Sequence, residues 1–284
     1  QSPVSAGPWR AEKEGNPMFD SNALNGPKMT QDQLARYLDR IRLAGPVPLT
    51  LAGLTEVQQA HRLAVNFENL DLMMGRPVSL DLEHLYDKIV VRRQGGVCAE
   101  LNTLYNWLLY SLGFQVTSYN SRILTPDTYL FRRHRIMGVE IEDKTYTTDV
   151  GFADENARIP LLLEDGLIQE DGQCAYRYEW QEFYGWVQYR QLPGQDWQPI
   201  LSFDLSPQVD RDFDPVLTFF ACHTSSSMRD DPRVARYFPD CVMALRKHIL
   251  REERRGIPVK KTELTWEEEK RMLRELFGLE TEGM

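Results

Sequence analysis

Residues 93–102 read RQGGVCAELN and join a glycine-rich turn to the start of a long helix. Apolar residues recur three and four positions apart after this turn, and Gly113 follows them at a place where helices commonly end. The recurring residues are Leu101, Leu104, Tyr105, Leu108, Leu109 and Leu112. This spacing predicts a buried helix whose first turn contains Cys98.

The segments before the turn have the period of amphipathic helices, and those after it have the pattern of short strands. A mixed region follows, and an amphipathic helix with Thr265 as its N-cap closes the chain. Helices are predicted over residues 32–43, 54–65 (with Thr55 as a candidate cap), 81–91 and 264–277, and strands over residues 116–124, 135–141, 145–150, 173–178 and 184–191. We therefore expect a helical part, then an antiparallel sheet or barrel, then a mixed part.

The composition argues against several classes of protein. The chain has 284 residues, a formal net charge of −9 and a hydrophobic fraction of 42%, as ordinary globular proteins do. Nucleic acid is not expected as a partner because phosphate binding needs clustered cations, and the basic run at residues 132–135 is interpreted as a solvated face. No run of roughly 18 apolar residues occurs, so no association with a membrane is expected.

The cysteines indicate reactive chemistry more than a scaffold. Cys98, Cys174, Cys222 and Cys241 are too widely spaced for a Cys-x-x-Cys metal pattern, and no metal site is expected. The N-terminal residues lack the charged start and apolar stretch of a signal peptide. A cytoplasmic protein with free thiols is therefore predicted.

Cys98 has a position suited to nucleophilic catalysis. A thiol attacks as the thiolate, and the unpaired N–H groups and positive dipole end of a helix N-terminus stabilise that anion. The same N–H groups can hold a thioester oxyanion, and the two preceding glycines allow a substrate to approach closely. A cysteine at a helix start is nevertheless more often a small buried residue, so its position alone does not establish catalysis.

Two further residues complete a candidate triad. His134 begins one strand-like run, and Asp149 ends the next. Adjacent antiparallel strands can bring these side chains together, so that a base accepts the thiol proton and a carboxylate holds the imidazole tautomer. The residues alone predict that Cys98, His134 and Asp149 are catalytic, and they leave open the alternative that each has a structural role.

Several segments resemble a known family. Residues 93–102 resemble the active-site signature of the arylamine N-acetyltransferases, Arg-x-Gly-Gly-x-Cys-x-Glu-x-Asn. Similar landmarks of that family are Asn66-Phe67-Glu68-Asn69-Leu70, His134-Arg135, Asp149-Val150-Gly151-Phe152, Asp212-Phe213 and residues 264–279. The segments occur in the family's order across residues 29–280, and this makes the resemblance specific.

The resemblance implies an α+β fold of three parts. A helical bundle carries the nucleophile, a central antiparallel β-barrel carries the histidine and the aspartate in a papain-like arrangement, and a C-terminal α/β lid covers the site. These domains are predicted at residues 29–113, 114–211 and 212–284, after an N-terminal extension at residues 1–28.

The resemblance also implies a two-step acyl transfer. Acetyl-CoA, or another short acyl-CoA, is a co-substrate and not a bound cofactor, and it acylates Cys98. An arylamine, hydrazine or arylhydroxylamine then attacks the thioester, while His134 acts as base and then acid and Asp149 orients it. By the same resemblance Phe67, Val97 and Phe152 line the acceptor pocket, and His223 and Ser226 contact CoA. Residues 221–226 depart from the family's lid motif, which leaves the preferred acyl donor open.

Three other functions stay open from the sequence. A cysteine hydrolase of the papain or transglutaminase kind also uses a cysteine at a helix start, but the two motifs around Cys98 and Asp149 favour acyl transfer. A polyketide-type amide synthase shares the implied fold and takes a carrier-bound acyl chain. A non-catalytic binding protein is disfavoured by the intact set of catalytic residues.

Overall fold

The computed structural model describes residues 25–125, 128–153 and 156–284, and its N-terminal part is helical. A π-helical turn at Asp87–Val91 continues α4, and 3-10 turns at Asp210–Phe213 and Ser227–Arg229 flank α6. The α-helices are α1 (Gln31–Arg40), α2 (Leu51–Ala64), α3 (Leu70–Met73), α4 (Leu82–Tyr86), α5 (Cys98–Leu112), α6 (Asp214–Cys222) and α7 (Trp266–Glu275). Among the described residues, no helix combines the length and apolar character needed to cross a bilayer.

Helix α5 is the centre of the helical part. Its residues 98–109 are all buried, and its apolar side chains from Leu101 to Leu109 share one cluster with side chains of α1, α2 and α4. The helix begins at Cys98 because Val97 is extended, and it ends at Gly113, whose φ of 108° is left-handed. A residue without a Cβ adopts that conformation at little cost. The predicted helix and its C-cap are therefore confirmed.

The middle of the chain forms an antiparallel sheet of eight strands, in the order β5-β4-β3-β2-β9-β8-β7-β6. The sheet coils into a nearly closed barrel whose interior is filled by Tyr178, Leu201 and Phe203. The strands are β2 (Gln115–Thr125), β3 (Thr128–Ile141), β4 (Lys144–Thr148), β5 (Leu161–Leu162), β6 (Gln169–Glu170), β7 (Ala175–Gln181), β8 (Gly185–Gln191) and β9 (Gln198–Phe203). Strand β3 lies between β2 and β4, which places the histidine-bearing strand beside the strand that leads to Asp149.

The C-terminal part is a second antiparallel sheet, packed against α7. Its strands are β1 (Phe67–Glu68), β10 (Arg233–Tyr237), β11 (Val242–Arg246), β12 (Ile249–Arg254) and β13 (Ile257–Glu263), in that spatial order. Because β1 comes from the helical part and pairs with β10, the C-terminal sheet is joined by hydrogen bonds to the segment next to the glycine turn. Leu273 and Phe277 pack with Val234 and Leu245 beneath it.

The α+β class of three successive parts is confirmed, and so is Thr265 as the N-cap of α7. The predicted cap of α2 is wrong: Thr50 accepts the N–H of Gly53, while Thr55 lies inside the helix and donates its hydroxyl to Leu51 O at 2.7 Å. The apolar period concealed this start because the first turn is half exposed. The predicted extension at 1–28 falls mostly on residues 1–24, which lie outside the described residues. The predicted domain boundaries stay predictions.

Candidate active site

The turn before Cys98 is held tightly against the segment that contains β1. A Cβ built on Gly95 would lie 2.3 Å from Asn66 O, so a side chain has no room there. Phe67 pairs with Gly96 in a parallel bridge, and Glu68 donates its N–H to Gly96 O at 2.9 Å. These contacts fix the direction in which the chain enters α5.

Glu100 fixes the first turn of α5 from inside. Its Oε2 accepts the N–H of Val97 at 3.0 Å, which satisfies one of the unpaired donors at the helix start. The same carboxylate forms a buried ion pair with Lys88, with Nζ–Oε1 at 2.9 Å. Lys88 also pairs with Asp71 at 2.8 Å. Burial disfavours the charged form of Lys88, but the neighbouring carboxylates favour it more strongly, so the pKa of Lys88 is raised. The glutamate of the sequence motif thus has a structural role: it supports the turn that holds Cys98.

His134 and Asp149 meet at the end of the β3–β4 pair. Met137 lies opposite Thr148 in the antiparallel register, and this places Asp149, just after β4, beside the His134 ring. The two side chains are buried, and Nε2 of His134 lies 2.5 Å from Oδ2 of Asp149. Cys98 interacts with the same ring, and since Nε2 is turned to Asp149, Nδ1 is the nitrogen left to face the thiol.

Two asparagines orient the carboxylate of Asp149. Asn102, one turn after Cys98 on α5, donates to Oδ1 at 2.8 Å, and Gly151 donates its N–H to the same oxygen at 2.8 Å. Asn156 donates to Oδ2 at 2.7 Å. Asn102 belongs to the cysteine motif, whereas no sequence signal pointed to Asn156. The carboxylate therefore has one position in which all its donors are satisfied.

The protonation of the pair follows from these contacts. Burial opposes a charge on the His134 ring, but the Asp149 carboxylate and then Cys98 outweigh it and raise the pKa of His134 to about 10. Burial also opposes the Asp149 charge, yet His134 and the donors around the carboxylate lower the pKa of Asp149. At neutral pH the ring is an imidazolium next to a carboxylate, and it can hold or release a proton at the nitrogen that faces the thiol.

A cavity of about 770 Å³ opens beside Cys98 and His134. Of the three predicted acceptor residues, Phe67 and Phe152 line it, and the Phe152 ring lies edge-on to His134 with centroids 5.0 Å apart. Val97 does not: it is buried below the cavity in a cluster with Phe213 and Val216. Val97 is the extended residue before the helix start, and its side chain points into the core. The sequence motif does not specify that direction.

The two residues predicted to contact CoA are separated by the structure. Ser226 lines the cavity, although its hydroxyl donates to Phe220 O at 3.0 Å. His223 ends α6 outside the cavity wall, is exposed, and stacks on Phe219 with ring centroids 4.7 Å apart. The turn after α6 places the two side chains in different environments, so only Ser226 faces the cavity.

The basic run at residues 132–135 is not a solvated face, contrary to the sequence interpretation. Arg135 is fully buried and bonds Asp210 at 2.6 Å. Arg132 pairs with Asp204, also at 2.6 Å. Arg133 lines the cavity. Strand β3 is covered by α5 on one side and borders the cavity at this point. The three arginines of the run therefore lie in three different environments.

The sequence reasoning also missed the aromatic side chains at the cavity wall other than Phe67 and Phe152. Phe131 of β3 lies edge-on to Phe219 of α6, with ring centroids 4.7 Å apart, and both line the cavity. Strands β10 and β11 close the opposite wall with small residues, among them Ala235 and Ala244. Nothing in the spacing of these residues marked them, because three separate parts of the chain contribute to the wall.

The site that the described residues form suits the chemistry of a thiol, and it contains no set of metal ligands. All four cysteines are free thiols, and Cys98 is the one that lies next to an imidazolium–carboxylate pair. Among residues 25–125, 128–153 and 156–284, no group of three or more His, Cys, Asp or Glu is placed to hold a metal ion. The arrangement can keep a thiolate beside a proton donor, and it offers an apolar, aromatic-walled space to a substrate.

Known proteins share both the sequence and the fold. A family model described as N-acetyltransferase matches residues 50–283. The arylamine N-acetyltransferase of Escherichia coli is 32% identical over 211 residues, which are 73% of this chain and 74% of the relative. The Salmonella typhimurium protein named arylamine N-acetyltransferase / N-hydroxyarylamine O-acetyltransferase is 34% identical over 67% of this chain and 68% of its own length. The structure of Mycobacterium marinum arylamine N-acetyltransferase in complex with CoA superposes with a TM-score of 0.80, at 31% identity over 86% of this chain and 92% of that one.

Proposed function

Since this chain belongs to the arylamine N-acetyltransferase family, we propose that it transfers a short acyl group from acyl-CoA to the nitrogen of an arylamine or a hydrazine. The observation that carries the proposal is the Cys98 thiol beside the His134–Asp149 pair at the wall of the cavity. The relative named for O-acetylation of N-hydroxyarylamines supports a second acceptor class, the arylhydroxylamines. The relative solved with CoA supports acyl-CoA as the donor.

The first half of the reaction loads the enzyme. The Cys98 thiolate attacks the carbonyl carbon of the acyl-CoA thioester, a new C–S bond forms, and the C–S bond to CoA breaks. The departing CoA thiolate takes a proton from the His134 imidazolium. Asp149 holds the ring with Nε2 toward itself, so the proton that moves is on the nitrogen facing the reaction.

The second half of the reaction transfers the acyl group from Cys98 to the amine. The amine nitrogen attacks the acyl carbon on Cys98, and His134, now neutral, accepts the proton that the nitrogen loses. The bond between the acyl carbon and sulfur then breaks, Cys98 leaves as the thiolate, and the proton stays on His134, which restores the starting imidazolium. Loss of the thiolate charge on acylation removes one of the interactions that raise the pKa of His134, so the ring becomes a better base when a base is needed.

The cavity suits an aromatic acceptor. Phe67, Phe131, Phe152 and Phe219 line it, and aromatic rings stack or pack edge-on with such walls. We assign the acceptor to this region, and Ser226 to the donor side of the cavity. We further propose that residues 29–113 supply the nucleophile, residues 114–211 the other two triad members, and residues 212–284 the covering wall.

The proposal is tested by trapping the loaded enzyme. Protein incubated with acetyl-CoA and no acceptor is expected to gain a single acetyl group on Cys98 by intact mass and peptide mapping. Cys98→Ala should gain none, whereas Cys222→Ala, which removes an exposed thiol, should gain it normally. Addition of an arylhydrazine should release free CoA continuously only when Cys98 is present.

Two results would contradict the proposal. One is acylation of Cys98→Ala at the wild-type rate while circular dichroism shows the native fold. The other is peptide cleavage in the absence of any CoA release, which would favour the hydrolase alternative.

A further inference from the structure

Arg133 differs from Arg132 and Arg135, the other two arginines near His134 on β3. Arg132 and Arg135 each bond an aspartate at 2.6 Å. Arg133 lines the cavity, its Nε is buried, and among the described residues that nitrogen has no hydrogen-bond partner. A guanidinium without an acceptor costs free energy, and because the Arg133 side chain lines the cavity, a ligand bound there can bring an acceptor to its accessible N–H groups.

The Arg133 side chain and Cys98 line the same cavity, and the guanidinium is close enough to Cys98 to interact with its charge. Burial lowers the pKa of Arg133, and the one charge that opposes this shift is that of Cys98. The backbone carbonyl of Arg133 also lies 3.9 Å from Cys98 Sγ. A group that binds this side chain therefore lies in the cavity that contains Cys98, where it belongs either to the transferred acyl group or to an acceptor placed beside it.

The surroundings carry the same charge. Arg233 is close enough to Arg133 and Arg246 for both to lower its pKa, after the effect of burial. Arg246 lies opposite Arg233 in the β10–β11 pair, and both line the cavity. Of the described residues that line the cavity none is Asp or Glu, although the whole chain has a net charge of −9. Behind the wall, Asp231 offsets part of the charge of Arg233 and Glu253 pairs with Arg251. The lining itself therefore has arginines and no carboxylate, and Arg133 is the lining arginine next to His134 in the chain.

We propose that Arg133 is a specificity residue that binds a carboxylate on a substrate of the transferase. This inference rests on the proposed function. A carboxylate matches a guanidinium in shape and charge and can accept two parallel hydrogen bonds. The phosphates of CoA are excluded as its ligand because the long pantetheine arm separates them from the thioester. The carboxylate belongs either to the acyl group, as in malonyl-CoA or succinyl-CoA, or to the ring of the acceptor, as in an aminobenzoate.

The experiment compares charged and neutral substrates in two arms. In the donor arm, kcat/KM is measured for malonyl-CoA, succinyl-CoA and acetyl-CoA with phenylhydrazine as acceptor. In the acceptor arm, it is measured for 4-aminobenzoate and its methyl ester with acetyl-CoA as donor. Wild type is compared with Arg133→Gln and Arg133→Lys, and Arg132→Gln is the matched control, because it removes an arginine of the same strand that pairs with Asp204 outside the cavity.

In at least one arm the wild type should prefer the carboxylated substrate. Arg133→Gln should lower kcat/KM for that substrate roughly 10- to 100-fold more than for its neutral counterpart, the range that a charge-assisted pair contributes. Arg133→Lys should restore part of the preference, and Arg132→Gln should leave the ratio as in wild type. The arm in which the ratio changes identifies the source of the carboxylate.

The role of Arg133 is overturned if the ratios of Arg133→Gln equal those of wild type in both arms while acetyl transfer proceeds. It is also overturned if wild type has no preference for a carboxylate in either arm. The absence of turnover with every donor and acceptor overturns the proposed function itself, and the wild-type protein alone reveals that outcome.

Discussion

Substitution of Asp149 by Asn tests whether one carboxylate sets both the charge and the tautomer of His134. Oδ1 of Asp149 accepts hydrogen bonds from Asn102 and from the backbone of Gly151. Oδ2 faces His134 and Asn156. A backbone N–H cannot reverse its role, whereas an imidazole can change tautomer. The amide oxygen in Asp149→Asn should therefore occupy the Oδ1 position and turn its NH₂ group toward His134.

That NH₂ group can only donate, so Nε2 of His134 must become an acceptor and its hydrogen must move to the nitrogen that faces Cys98. The native rise in the pKa of His134 from 6.5 to about 10 corresponds to about 5 kcal/mol in favour of the charged ring. Without the carboxylate, burial favours the neutral ring. A neutral ring with its hydrogen directed at the thiol cannot take the thiol proton, and we expect acyl-enzyme formation to slow about 10³- to 10⁴-fold.

Rapid quenching and intact-mass analysis after mixing with acetyl-CoA give the rate constant for formation of the acyl-enzyme. Proton NMR of the His134 ring reports its charge, which should be present at neutral pH in wild type and absent in Asp149→Asn. Asp210→Asn is the control, because it alters a carboxylate that pairs with the neighbouring Arg135 at 2.6 Å and does not touch His134. Acylation of folded Asp149→Asn within tenfold of the wild-type rate would refute the argument.

Three further predictions concern stability. The pKa of His134 in the folded protein, about 10, lies above its ordinary value of 6.5. The charged ring therefore stabilises the fold fully below pH 6.5, and this stabilisation is lost as the pH rises toward 10. The difference in Tm between wild type and His134→Gln should shrink over this range, and a difference that grows would contradict the predicted direction. Gly95→Ala places a Cβ 2.3 Å from Asn66 O and should cost about 1–3 kcal/mol in urea unfolding, so an unchanged midpoint would show that the turn relaxes freely. Lys88→Met leaves the buried Glu100 carboxylate unpaired and should cost about 3–5 kcal/mol by the same assay, whereas a gain in stability would mean that the carboxylate takes up a proton at no cost.

The helical part of the fold was the easiest to predict. Helix α5 is buried nearly all round, yet its apolar spacing and the glycine after it gave both of its ends. The start of α2 was misplaced because Leu51, in its first turn, is exposed and adds nothing to an apolar pattern. The order of the strands in the barrel has no local signal, since β2 pairs with β9 across a long stretch of chain.

The candidate triad was predictable because its members lie on or next to regular elements that the sequence pattern indicated, although His134 lies inside β3 and not at its start. Cys98 begins a helix, and Asp149 follows a strand that pairs with the strand of His134. The remaining site residues have no such position. Asn156 lies in a loop and reaches Asp149 only because the barrel brings the loop back. Arg133 lies at an irregularity in the β2–β3 register, which skips from Arg132 to His134, and no sequence pattern marks that position.

The sequence by itself determined the order of the three parts, the helix that presents Cys98 and the three candidate catalytic residues, since each depends on local spacing or on a contiguous motif. The tertiary structure alone decided what surrounds them. It put Val97 in the core and Phe131 at the cavity wall, and it gave two neighbouring arginines different roles. The physical reason is that burial and charge pairing are set by residues distant in the chain, and the free energy of an arginine depends on whether an acid partner folds against it.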